Sequence, residues 1–92
     1  MKAKIFLVDS IKGLQRIEKT KDAIHIILTN DETAMNKEFM DTYENMDDNS
    51  TRIYSFERLS RENIVRHIQY AVFRELQILD IDVRDFCDNT VI

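Results

Sequence analysis

Ninety-two residues, 43% of them apolar and 33% charged, fit one domain with a single core and exclude a disordered acidic tail or a fibrous repeat. No apolar run reaches the roughly 18 residues of a membrane-spanning helix, no secretory leader is visible, and the single cysteine, Cys87, excludes an intramolecular disulfide, so a cytoplasmic protein is expected. The net charge of -4 is mild, and chains this short often gain stability by pairing, which predicts a homodimer.

Residues 3–8 form an apolar run of β-formers, as do residues 23–28, and both read as central strands buried on two faces. Between them Asp9 or Ser10 can cap a short helix with Ile11, Leu14 and Ile17 at spacing three, weakened by Gly13. Asn30 or Asp31 then opens a second helix, in which Met35, Phe39, Tyr43 and Met46 fall on one apolar stripe. Residues 52–57 alternate in period two and predict a third strand, more exposed and nearer an edge. Ser60 opens the longest helix, with Val65, Ile68, Val72, Leu76 and Leu79 inward. Tyr70 and Phe73 lie off that stripe and, with Phe86, form the expected dimer seam. The tail is ambiguous, since Ile81, Val83 and Asp85 alternate like a strand whereas residues 87–90 read as irregular. The order β-α-β-α-β-α predicts an α/β (or α+β) domain over residues 1–92, with a small three-stranded sheet and three helices.

Charge is segregated along this frame. Residues 31–48 hold Asp31, Glu32, Glu38, Asp41, Glu44, Asp47 and Asp48 against Lys37 alone, whereas residues 1–22 carry six bases against three acids. At about 100° per residue, Glu38, Asp41, Glu44 and Asp48 fall within roughly a 120° sector opposite the apolar stripe. Their axial spacing of about 5 Å is comparable to the phosphate repeat of about 3.4 Å per DNA strand, so the row can imitate a row of phosphates. Asp80, Asp82, Asp85 and Asp88 make a second acidic cluster, and a two-fold dimer would double every row. The bland alternative is the solvated face of an amphipathic helix. Such faces ordinarily intersperse both signs to gain i,i+4 pairs, and this one does not.

In length, acidity and the block from Asp31-Glu32 to Asp47-Asp48, the chain resembles the Arn family of anti-restriction proteins of T-even bacteriophages. That resemblance implies a dimeric DNA mimic. Its partners would be DNA-binding proteins of the host, a modification-dependent restriction enzyme or a histone-like nucleoid protein, with no direct contact to nucleic acid, no membrane and no cofactor.

Other chemistry finds little support. His25 and His67 have no Cys, His or carboxylate at metal-ligand spacing, so no metal is expected. Asp85 and Asp88 would raise the Cys87 thiol pKa and oppose nucleophilic use. In an open parallel sheet, ligands bind beyond the strand carboxyl ends, which sets Asp9, Ser10, Thr29, Asn30, Asp31 and Ser55 on one rim and gives the strongest enzyme alternative. Helix capping explains the same residues, and no catalytic set is assigned. Residues 5–9 resemble the first strand of receiver domains, but the remaining receiver acids and lysine strand are missing. A plain protein-interaction module is the other alternative.

Overall fold

The computed structural model describes residues 2–75 and 80–89. The apolar run beginning at Ala3 forms β1 (Lys2–Leu7), and Ser10, whose Oγ accepts the Gly13 N–H, caps α1 (Ile11–Gln15). Then come β2 (Ala23–Asn30), α2 (Asp31–Ala34), α3 (Lys37–Met46), β3 (Thr51–Phe56), α4 (Ile64–Arg74) and β4 (Asp80–Asp85). The sheet order is β3-β2-β1-β4 and every pairing is parallel. The two apolar strands are the inner ones and β3 is an edge, as the sequence patterns predict.

Right-handed crossovers send the helices of β1→β2→β3 to one face of the sheet and the helix of the return to β4 to the other. The core obeys this. Leu14, Phe39 and Tyr43 pack on Phe6, Val8 and Ile27, whereas Ala71, with Ile64, Ile68 and Val72, packs on Ala3, Ile5, Leu7, Ile26 and Leu28.

The described residues form an α/β fold with four parallel strands and four helices, not the three strands and three helices expected, and two local causes account for the difference. The expected second helix is two helices: Asn36 is extended (φ -74, ψ 121) and its side chain accepts the Phe39 N–H at 3.0 Å, so α3 starts afresh one turn after α2 ends. Met35, assigned to the packed stripe, sits at that break and is 85% exposed. The ambiguous tail is a strand, because Ile81 and Val83 register on Ala3 and Ile5 and extend the sheet.

The last helix is also shorter than expected. Residues 60–63 form a turn, Asn63 N–H to Ser60 O at 3.1 Å, and α4 begins at Ile64. Ile68 and Val72 face inward as predicted, Val65 is 61% exposed, and Leu76 and Leu79 lie outside the described residues. Gly13 has a packing reason: a Cβ there would overlap the Phe86 carbonyl oxygen, so only glycine lets α1 approach the end of β4 this closely.

Candidate functional site

Two regions carry the sequence-predicted residues: the rim at the strand carboxyl ends and the acidic face of α2 and α3. At the rim, strand order reverses between β1 and β4, the position where open α/β sheets place a ligand. Here the chain fills that crevice itself. The Asp9 carboxylate accepts the backbone N–H of Asp88 at 2.7 Å and of Asn89 at 2.9 Å, and Asn89 Nδ2 donates to the Asp9 carbonyl at 3.3 Å. Ser10 Oγ donates to Asp88 Oδ2 at 2.5 Å, and Arg16 pairs with the other oxygen at 2.6 Å. Those two contacts, Ser10 first, hold the Asp88 carboxyl below the usual carboxylate range.

Beside this plug lies an open cleft of about 520 Å³ lined in part by Ser10, Asn30, Glu32, Thr33 and Asn36. Asn30, Thr33 and Asn36 are already engaged in holding backbone. Asn30 accepts the Thr33 N–H at 2.7 Å, Asn36 caps α3, and Thr33 Oγ1 donates to the Asp9 carbonyl at 3.3 Å. Asp31, included in the rim from the sequence, does not line it. The Ser10 hydroxyl is held by Asp88, whose other oxygen Arg16 pairs, and the buried Asp9 carboxylate is turned onto main-chain donors.

Burial first, then the nearby Asp9 and Asp85 carboxylates, push the Cys87 thiol far above its ordinary value, which leaves it a weak nucleophile. His25 is fully buried. Its Nε2 accepts the Thr20 N–H at 2.8 Å, and its Nδ1 lies 3.5 Å from Ser50 Oγ, which in turn donates to Asp48 at 2.6 Å. In this chain the serine bridges histidine and aspartate, an order that ties the start of β2 to the loop after α3. His67 stacks on Phe56, ring centroids 4.0 Å apart, and its Nε2 lies 3.2 Å from the Arg58 carbonyl. Among the described residues no group of three or more His, Cys, Asp or Glu is placed to hold a metal ion. Nor is any helix among them long and apolar enough to cross a membrane.

On the acidic face, α3 buries Phe39 and Tyr43 and turns Glu38, Asp41 and Glu44 to solvent, with Lys37 offsetting one of the three. Asp31 and Glu32 are exposed in the first turn of α2, where negative charge suits the helix dipole. No ion pair among the described residues neutralises these five acids. Asp48 does not continue the row. The helix ends at Met46, and the Asp48 carboxylate takes Lys19 Nζ at 2.7 Å, the Ser50 N–H at 2.8 Å and Thr51 Oγ1 at 3.1 Å. Lys19 first, then Ser50, hold its pKa far below the usual range. Lys19 also donates to the Met46 carbonyl, so a cation covers the negative end of the α3 dipole. Asp47 accepts from Tyr43 Oη at 3.4 Å, and burial followed by the Asp47 charge pushes that phenol up to about 12.

The second acidic cluster does not form one row. Asp80 and Asp82 alternate with Asp85 across the two faces of β4, Asp82 pairs with Arg84 at 3.4 Å, and Asp88 belongs to the rim. The seam residues are also divided. Phe86 packs on Phe6 on the α1 side, with centroids 5.5 Å apart, while Phe73 is exposed on α4 and Tyr70 meets Tyr54 and Phe56 edge-on. Lys19, Arg16 and Asp9 organise both regions, and sequence reading missed those roles because their partners lie 29, 72 and about 80 residues away. No family model matches the chain, and neither a curated protein nor a solved structure matches it.

Proposed function

We propose that this protein is a non-catalytic DNA mimic that presents the α2–α3 acidic face to the cationic surface of a DNA-binding protein, with a host restriction nuclease or histone-like nucleoid protein as the partner class. The observation that carries this reading is the contrast between acids. Asp48, Asp82 and Asp88 sit in internal ion pairs, whereas Glu38, Asp41 and Glu44 stand outward on one helix face, and Asp31 and Glu32 are exposed on the preceding α2.

Glu38 to Glu44 covers about 9 Å of helix axis, a length over which one DNA strand carries about three phosphates, so the charge density is comparable. A field of one sign also raises the encounter rate with an oppositely charged surface. The capped and plugged rim favours binding over catalysis, and the resemblance to the anti-restriction family agrees with this reading. On it, the working compartment is the host cytoplasm.

The test is affinity capture from bacterial lysate with immobilised protein, eluted by a salt gradient and challenged with duplex DNA. DNA-binding proteins held by the native chain, released by duplex and absent from an E38Q/D41N/E44Q column, are the expected result. Partners indifferent to duplex, to salt and to the triple substitution point instead to an ordinary interaction module.

A further inference from the structure

We infer that β4 is a self-pairing edge: a second copy of the chain adds its own β4 antiparallel about a two-fold axis at Val83, joining two sheets into one of twice four strands. The two edges of the sheet differ in protection. β3 is flanked by α4, with Tyr54 Oη donating to Glu75 at 3.0 Å, Arg52 pairing with Glu75 at 3.0 Å, and Tyr70 edge-on to Tyr54 and Phe56. β4 has nothing comparable among the described residues. Its apolar side chains Ile81 and Val83 are 43% and 42% exposed, five of its six residues are exposed, and an uncovered edge of this kind is a template for another strand.

The direction of the main-chain groups fixes the geometry. Phe86 N–H donates to the Leu7 carbonyl at 2.8 Å, so the polar groups of Phe86, and by the two-residue alternation those of Arg84 and Asp82, point to β1. Those of Ile81, Val83 and Asp85 therefore point outward. Setting Val83 opposite the partner's Val83 places Ile81 opposite the partner's Asp85 and aligns all three outward residues. Each facing pair exchanges two bonds, about six in total.

Charge selects this register and identifies the occupant as a second copy. With Val83 on the axis, Asp82 faces the partner's Arg84 and Arg84 faces the partner's Asp82. Both are non-hydrogen-bonded positions, where side chains come closest. Slipping one step either way sets Asp82 against the partner's Asp82 or Arg84 against the partner's Arg84, and like charges directly opposite are destabilising. Among the described residues Arg84 pairs with its own Asp82, at a long 3.4 Å, so both groups can exchange to the partner. On the other face the two Val83 side chains meet and the Ile81 side chains flank them.

Light-scattering mass of four chains tests this: wild type, Asp82→Arg, Arg84→Asp and the double variant carrying both. Wild type runs at twice the 11.0 kDa chain mass, each single variant at 11.0 kDa, and the double variant returns to twice that mass. An equimolar mixture of the two single variants also reaches twice the chain mass, since each supplies the charges the other lacks, and this shows that both are folded. In wild type the Ile81, Val83 and Asp85 amides gain hydrogen-exchange protection as concentration rises. A wild-type monomer at millimolar concentration, single variants that pair as well as wild type, or freely exchanging amides at those three positions in a dimer would each overturn the inference.

Discussion

Lys19 Nζ lies 2.7 Å from Asp48 Oδ2, and that pair gives the basic first segment a place in the molecule: it neutralises the far end of the acidic block and closes the carboxyl end of α3. Arg16 does the same for Asp88 at the rim. The two segregated charge blocks therefore meet at Lys19 and Asp48, and among the described residues no ion pair reaches the outward row on α3 or Asp31 and Glu32 on α2.

Because Asp48 also accepts from Ser50 and Thr51, Asp48→Ala lowers the melting temperature more than Lys19→Met does. The Asp48 carboxyl is depressed below its ordinary 3.8, so its contribution is present above that pH and is lost as pH falls further. Thermal melts of both variants at pH 7 and pH 3 check the ordering, and the Asp48 contribution begins to narrow at the lower pH.

Asp9→Asn separates anchor from catalyst. One amide oxygen cannot replace a carboxylate that takes the Asp88 and Asn89 N–H groups with separate oxygens, and the amide group brings donors to a site of donors. The substitution should cost about 1–3 kcal/mol in urea unfolding and speed amide exchange at both positions. Unchanged stability would contradict the anchoring role.

His25 predicts a separate acid limb. Burial first, then the charges of Lys19 and Lys4, lower its pKa below the ordinary 6.5 despite a raising contribution from Ser50. The unfolded chain then takes up a proton at His25 before the folded one does. Stability is full above about pH 6.5 and declines as pH falls toward the folded value. Chemical denaturation from pH 7.5 to 5 should show this slope, and His25→Gln should flatten it.

Gly13→Ala sets propensity against space. Alanine is the better helix former by about 1 kcal/mol, yet its Cβ meets the Phe86 carbonyl, a main-chain atom with little room to yield. Net destabilisation of about 1–3 kcal/mol is expected. A more stable variant would contradict the close approach of α1 to β4.

The inner strands were legible because a doubly buried strand is written as a continuous apolar run, and α1 because Ser10 announces its cap. The break at Met35 was hidden because Asn36 reads as an ordinary polar residue inside a helical pattern until its side chain is seen to accept the Phe39 N–H. Strand β4 was obscured by its acids: Asp80, Asp82 and Asp85 disfavour a strand by propensity, and pairing with β1 overrides that preference. For the candidate site, helical spacing correctly turned Glu38, Asp41 and Glu44 outward. It also carried Asp48 past the real helix end, since pairing with Lys19 is a tertiary contact that no local pattern encodes.

The most direct measurement is displacement: a purified histone-like nucleoid protein is bound to fluorescent duplex DNA, and the chain is titrated in while anisotropy is read. The account predicts that wild type releases the duplex, that release weakens with added salt, and that E38Q/D41N/E44Q releases at least tenfold less at equal concentration. Duplex that stays bound at every concentration of wild type, or equal release by the triple variant, would contradict it.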